Sequence, residues 1–318
     1  MNILVTGGAG YIGSVMTTLF LEAGHQVTVL DNLSHGHADA VPQGVHKFIQ
    51  ADIADLTAVI TPEDNIEAVV HLAAFIAAGE SMTAPELYWQ NNTVSTLALL
   101  NGMRELGIGK LVFASTAATY GNPTQVPITE DAATNPTNTY GMTKLAIDMA
   151  ITSECLAHGL AATSLRFFNV AGAYKQAAER HPTETHIIPI LLQVARGERE
   201  AFTIFGDDYP TPDGTCVRDY IHVHDLARAA ALALDKLQAG RHGIYNLGNG
   251  DGFSNKQVIE AVERVTGKHI PVSYGPRREG DPATLIASSA LAHKELGWTP
   301  AHPTLDEMIQ DAWATSRP

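Results

Sequence analysis

Tyr140 and Lys144 stand four residues apart in the segment Tyr140-Gly141-Met142-Thr143-Lys144, so on a helix both side chains project from one face. An ammonium beside a phenol stabilises the tyrosinate. It is expected to lower the Tyr140 pKa toward neutrality and make the residue a usable general base. Ser115 and Thr116 close the apolar segment KLVFAS and its following threonine, with Thr116 24 residues before Tyr140. A hydroxyl there completes a Ser/Thr–Tyr–Lys set able to move a proton on and off an alcohol. The expected catalytic residues are Thr116, Tyr140 and Lys144.

The chain opens with an apolar strand, Ile3–Thr6, that runs into Gly7-Gly8-Ala9-Gly10-Tyr11-Ile12-Gly13. Glycines at 7, 10 and 13 allow a tight turn, close approach of a pyrophosphate, and close helix–strand packing. The N–H groups at the start of the following helix supply an anion site. A glycine turn alone can be purely structural; its strand–turn–helix context makes this one a dinucleotide site. Asp31 ends the second strand, 18 residues after Gly13, where a carboxylate accepts hydrogen bonds from an adenosine ribose. Asn32, Leu33 and Ser34 follow, and no Lys or Arg occurs before Lys47. A carboxylate there repels a 2′-phosphate, so NAD is favoured over NADP. Asp52 and Ile53, after the third strand, are placed to border the adenine.

These groups need a scaffold. Ile12, Val15, Met16, Leu19 and Phe20 recur on one helical face. Strands are expected at Gln26–Leu30, Val45–Gln50, Ala68–Leu72, Lys110–Ala114 and Thr163–Phe167, with helices over Pro85–Leu106 and Thr139–Ala157 between the later ones. Apolar strands alternating with helices predict an α/β, Rossmann-like, doubly wound parallel sheet covered on both faces. After Asn169 the alternation breaks, and the segment IFGDDYPTPDGT reads as loop and hairpin. Val223–Leu234 and Gly243–Leu247 again read as helix and strand completing the sheet. The expected organisation is an NAD-binding unit of 1–169 plus 225–250 and a smaller α/β substrate-binding unit of 170–224 plus 251–318.

Composition excludes several classes. At ~150 residues per domain, 318 residues fit two domains, and 45% hydrophobic with 17% charged residues excludes general disorder. The net charge of -14 argues against nucleic acid as a partner. The two cysteines, Cys155 and Cys216, form no CxxC pair, which leaves reduced thiols. No signal peptide and no membrane-spanning run is visible, so a soluble cytoplasmic protein is expected. Fourteen histidines include His222 and His224 at strand spacing, but without a third-ligand pattern no metal is expected. His71 reads as a hydrogen-bonded core histidine, and Glu130-Asp131 and Asp207-Asp208 as solvated surface.

The motifs GGAGYIG, DNLS, HLAA, GES, NN, STAATYG, YGMTK, RFFNVAGA, IFGDDYPTPDGTCVRDYIHVHDLA, YNLGNG and PRREGD, in this order, resemble the extended short-chain dehydrogenase/reductase family. The resemblance covers nearly the whole chain. It implies an isomerase that inverts C4 of UDP-glucose and UDP-galactose through a 4-keto sugar, with one NAD retained throughout. Another UDP-sugar (UDP-N-acetylglucosamine or UDP-xylose) or a dehydratase reaction are the alternatives. Dehydratases of this family carry an Asp-Glu pair after the catalytic Thr, where this chain has Ala117-Ala118. The resemblance assigns NAD contacts to Tyr11, Ile12, Asp31, Asn32, Asp52, Ile53, Leu72, Ala73, Ala74, Asn91 and Phe168, beside Gly7, Gly10, Gly13, Ser115, Tyr140 and Lys144. On the UDP-sugar side it assigns Thr116, Asn169, His186, Ile187, Thr203, Phe205, Arg218, Arg278 and Asp281, with Leu285 against the sugar C2 substituent. The two arginines suit a diphosphate held by an otherwise acidic protein. Likeness also implies a homodimer joined through helices around 85–106 and 139–157. Two positions depart from the family pattern. Phe75-Ile76 stands where a lysine usually reaches the cofactor, which implies looser retention, and Ser288 stands where an aspartate is usual.

Overall fold

The computed structural model describes residues 1–181, 184–278 and 281–315. Its strands are β1 (Asn2–Thr6), β2 (Gln26–Asp31), β3 (Lys47–Gln50), β4 (Ala68–His71), β5 (Lys110–Thr116), β6 (Ala161–Phe167), β7 (Asn169–Ala171), β8 (Phe202–Phe205), β9 (Val217–His222), β10 (His242–Leu247), β11 (Gly252–Ser254), β12 (Val272–Gly275) and β13 (Thr284–Leu285). A seven-stranded sheet runs in the order β10-β6-β5-β4-β1-β2-β3. Every pairing in it is parallel.

Strand periodicity explains how this sheet is covered. Ile3, Val5, Val70 and Val112 point to one face, where they pack on the helices Tyr11–Glu22 and Val223–Asp235. Leu4, Val69, Leu111 and Phe113 point to the other, against the helices Ser95–Glu105 and Thr139–His158. With both faces buried, the strands read as unbroken apolar runs rather than as alternating patterns.

The carboxyl ends of β1 and β4 lie side by side in register, Thr6 opposite His71. Chain order reverses at this pair, since β2 and β3 continue to one side and β5, β6 and β10 to the other. A crevice at such a switch point is where open α/β sheets bind ligands.

The remaining strands form two small sheets. β9 is central in one, with β11 antiparallel, β13 parallel and β7 parallel. β8 and β12 pair in parallel in the other. Leu191, Ile204, Tyr220, Val258 and Met308 belong to an apolar cluster under these sheets, separate from the main core.

Three local expectations differ from what the chain does. The helix expected over Pro85–Leu106 is interrupted: Trp89–Val94 adopts a π-helix between Pro85–Tyr88 and Ser95–Glu105. No hairpin forms in IFGDDYPTPDGT, because β8 takes its partner from distant β12 and 206–216 is a loop. His222 and His224 do not share a strand. His222 ends β9 and its Nδ1 accepts the His224 N–H at 3.0 Å, capping the next helix.

Candidate active site

The glycine turn follows β1 directly. Gly7 sits at φ +75, and a Cβ on it would lie 2.7 Å from the Ala73 nitrogen. A Cβ on Gly13 would lie 2.0 Å from the Gly7 carbonyl oxygen, so only glycine lets the helix start so close to the turn. A Cβ on Gly10 would meet nothing nearer than 3.4 Å, which leaves the turn's outer side open to a ligand. Asp31, at the end of β2, is buried, and its carboxylate accepts the N–H of Ala9 at 3.0 Å and of Leu33 at 2.8 Å. Asp52 caps its own turn through the Ala54 N–H at 2.9 Å and accepts from Asn32 at 3.1 Å.

A second group forms where β5 meets the helix Thr139–His158. Asn138 caps that helix by accepting the Gly141 N–H at 2.8 Å. A Cβ on Gly141 would lie 2.7 Å from the Ala118 carbonyl oxygen. The helix therefore begins hard against the turn after β5, and that contact carries Tyr140 to Thr116. Ser81 accepts the Tyr140 N–H at 3.0 Å and fixes the backbone there. One turn on, the Lys144 ammonium is buried; it donates to the Ala114 carbonyl at 2.9 Å and stands 4.8 Å over the Phe113 ring.

Burial governs both titrations. It pushes the Tyr140 phenol up to about 12, with the Thr116 hydroxyl partly opposing it. It pulls Lys144 down to about 7, against the charge of Asp148. The expected lowering of the tyrosine toward neutrality is thus corrected for the protein alone: desolvation of the phenolate outweighs the Thr116 hydrogen bond that favours it. Ser115 and Thr116 divide their work. The Thr116 side chain faces Tyr140, while the Ser115 hydroxyl donates to Asp148 at 3.1 Å.

Both groups open onto one cleft of about 1230 Å³. Its wall includes all the residues expected at NAD: Gly7, Gly10, Tyr11, Ile12, Gly13, Asp31, Asn32, Asp52, Ile53, Leu72, Ala73, Ala74, Asn91, Ser115, Tyr140, Lys144 and Phe168. Thr116, Asn169 and His186 line it too. The volume exceeds the ~300–1,000 Å³ of an ordinary small-molecule pocket, which suits a dinucleotide beside a second ligand. With the open glycine turn and the buried carboxylate at β2, these residues fit NAD.

The other expected sugar-side residues do not line this cleft. Ile187 begins a helix, with His186 as its N-cap, and the His186 ring is held by Glu179 at 2.9 Å and Glu184 at 2.8 Å. Those two carboxylates push His186 up to about 10 in spite of its burial. Arg218 pairs with Asp281, and Leu285 lies opposite Arg218 in the β9–β13 register. The Arg278 guanidinium sits 4.2 Å over the Phe205 ring, and Thr203 meets Ser273 at 2.9 Å on the same strand pair. Leu285 connects the two regions, because it packs on a cluster containing Ala117 and Phe168.

Other expectations divide. His71 is held between Thr6 at 2.7 Å and Thr96 at 2.9 Å and is driven down to about 3 by burial, as befits a core histidine. Glu130 is not solvated surface: it accepts the Asn246 N–H at 2.8 Å, and partial burial raises its pKa. Asn92 was not legible as a site residue. Fully buried, it accepts the Phe75 N–H at 2.8 Å and donates to the Phe75 carbonyl at 3.0 Å and to Thr143 at 3.3 Å. It thereby ties the 72–76 wall of the cleft to the helix Thr139–His158; in the sequence it stands in the polar stretch Gln90-Asn91-Asn92-Thr93, where no apolar periodicity sets it apart.

Residues 3–248 match the model of the NAD dependent epimerase/dehydratase family. The chain is 57% identical to UDP-glucose 4-epimerase of Corynebacterium glutamicum, over 99% of this chain and 95% of that one. A crystal structure of a UDP-glucose 4-epimerase superposes with a TM-score of 0.95 at 48% identity, covering 99% of this chain and 97% of the other. The enzyme of Stenotrophomonas maltophila, crystallised with NAD and formylated UDP-arabinopyranose, gives 0.94 at 40% identity, covering 99% and 97%. With this cleft, this sheet and these relatives, the chain belongs to the NAD-dependent epimerase/dehydratase family.

Proposed function

We infer that this chain reversibly interconverts UDP-glucose and UDP-galactose by epimerisation at C4, as an NAD-dependent isomerase. The observation that carries this reading is the opening of the glycine turn and of Thr116, Tyr140 and Lys144 onto one cleft. NAD, when bound, supplies the reversible hydride acceptor and donor for C4. The protein's own residues manage the proton and the geometry. Tyr140, in its phenolate form, accepts the proton of the sugar 4-hydroxyl at its phenolic oxygen and later returns it, and Thr116 hydrogen-bonds the same hydroxyl. Lys144 supports the phenolate charge, and Asp31 accepts from the adenosine ribose.

Ala117 and Ala118 follow Thr116 in the turn after β5, and neither can act as acid or base. Elimination from the 4-keto sugar then has no catalyst on this wall, which disfavours the dehydratase alternative. On the sugar side, Arg218 and Arg278 are assigned to the diphosphate, and Leu285 to the wall near C2. In this reading, 1–169 with 225–250 form the NAD unit and 170–224 with 251–318 the nucleotide-sugar unit. The apolar cluster beneath the small sheets, which draws on 171–220 and on 258–309, supports that division for those segments, whereas Ile221, Val223, Ala292, Leu296 and Trp298 pack into the main core with the NAD unit.

A homodimer fits one surface feature. Met82, Met149 and Leu156 are 58%, 65% and 80% exposed on the helices Ala78–Thr83 and Thr139–His158, an apolar face suited to a second copy. Among the described residues, no helix is long and apolar enough to cross a membrane. A cytoplasmic site of action accords with that and with the buried free thiols of Cys155 and Cys216.

Mass analysis of the product formed from UDP-galactose tests the reaction class. Epimerisation leaves the mass unchanged, whereas a product lighter by one water would establish dehydration instead.

A further inference from the structure

β9 carries Arg218 and Asp219 as neighbours, so their side chains leave opposite sides of the strand. Arg218 is committed to Asp281 and to the Val217 carbonyl at 2.8 Å. Asp219 is fully buried, and among the described residues no cation pairs with it. Its carboxylate instead accepts three backbone N–H groups: Asn249 at 2.8 Å, Gly250 at 3.0 Å and Ala287 at 3.0 Å. A Cβ on Gly248 would lie 2.4 Å from one of its oxygens, so the turn after β10 closes over it only because glycine is there.

The three donors come from two different places. Asn249 and Gly250 follow β10, the edge of the main sheet, and Ala287 follows β13. β13 is only two residues long, with Thr284 opposite Val217 and Leu285 opposite Arg218. The Asp219 side chain supplies the next tie along that ladder. Across the segment's other edge, Ile128 donates to Ile286 and Ser288 donates to Ile128, both at 2.8 Å. Leu285 and Ala287 then pack on Ala117 and Phe168, beside the catalytic threonine.

We propose that Asp219 is a positioning residue for the nucleotide-sugar, setting where Arg218 and Leu285 stand relative to the catalytic end of the cleft. The proposal rests on the reading of Arg218 and Leu285 as substrate contacts. A carboxylate suits this task because its two oxygens can take three N–H groups at once, whereas a carboxamide presents donors of its own on one side. Leaving a buried backbone N–H unsatisfied is costly, so the segment would shift rather than tolerate it.

Acid should loosen the same tie. Burial raises Asp219 to about 6, and Asp251 in the turn above adds to the effect, while the three N–H groups oppose it. On the side of β13 the contacts are backbone and apolar; Ser289 is occupied with Gly248, and Arg218 with Asp281. As pH falls through about 6 the carboxyl gains a proton and loses acceptor capacity. Affinity for the nucleotide-sugar should fall with it.

The test uses the NAD-loaded protein, comparing Asp219→Asn with the parent on UDP-galactose from about pH 8 down to about pH 5.5. The expected result at about pH 8 is a KM raised roughly tenfold, kcat within about threefold, and unchanged bound NAD. The parent's KM should also rise below about pH 6 with a dependence the variant lacks. A KM within about twofold of the parent's would overturn the proposal, as would a loss confined to kcat. Should the variant fail to fold, a parent KM that stays flat across the pH series overturns it equally. Arg218→Ala separates the underlying reading. An unchanged KM there removes Arg218 as a substrate contact, whereas a large effect there with none in Asp219→Asn removes only the role given to Asp219.

Discussion

The Lys144 ammonium stands 4.8 Å over the ring of Phe113 and donates to the carbonyl of Ala114, so this lysine is held, buried, against the top of β5. An ammonium in such a place costs stability, since burial draws Lys144 down to about 7. The folded chain therefore binds this proton less readily than the unfolded chain does. Between about pH 7 and the ordinary lysine value, stability due to this group rises with pH. Lys144→Met should remove the penalty near neutral pH. Its cofactor-free form is expected to melt a few degrees higher, about 1–2 kcal/mol, while turnover collapses. Calorimetry on both proteins checks this, and a lower midpoint for the variant would refute it.

Tyr140→Phe should retain the fold and bound NAD and lose ~100- to 10,000-fold in kcat, because only the phenolic oxygen disappears. Turnover within about threefold of the parent would remove Tyr140 from the proton step.

Much of this was legible beforehand for a physical reason. The sheet is buried on both faces, so its strands announce themselves as short apolar runs, and the glycine turn sits where a strand must become a helix within a few residues. Tyr140 and Lys144 declared themselves through helical spacing together with Ser115-Thr116 at a strand end and the glycine turn at the start of the chain. Asn92 and Asp219 did not, because each acts through backbone groups that come from distant segments. The π-helical stretch at 89–94 has no periodicity that differs enough from an α-helix to be read in six residues. The pairing of β8 with β12 joins segments some seventy residues apart, and no local pattern encodes such a partner.

Asp31 predicts the cofactor. Its carboxylate is already fixed by the Ala9 and Leu33 N–H groups, which leaves a negative edge where a 2′-phosphate would have to sit. Purified protein, denatured mildly and analysed by mass, should release NAD(H), and mainly NADP(H) would contradict this. Ile76, 40% exposed on the cleft wall, offers no cation to the cofactor. Partial occupancy after dialysis is therefore expected, and Ile76→Lys should increase it.

Leu285 predicts sugar size. An apolar wall separates ligands by only ~1–3 kcal/mol per methylene-sized misfit and offers an acetamide no hydrogen bond. UDP-galactose should be preferred, with UDP-N-acetylgalactosamine slow rather than excluded, and Leu285→Ser should narrow the gap. Equal kcat/KM values in the parent, or no gain in the variant, would show that the wall lies elsewhere.

The exposed apolar helix face predicts assembly. Sedimentation should give twice the chain mass of 34.0 kDa. Met149→Glu combined with Leu156→Lys should yield monomers, and an unaltered dimer in that variant would place the interface on another surface.

A cleft that holds its own NAD and uses it to invert C4 of a UDP-hexose needs no cofactor added to it. Purified protein incubated with UDP-galactose, with no NAD added, measures this most directly. UDP-glucose should accumulate to a stable ratio that is also reached from UDP-glucose, with no net reduction of cofactor. No conversion by protein shown to contain NAD, or a product accompanied by stoichiometric NADH, would contradict it.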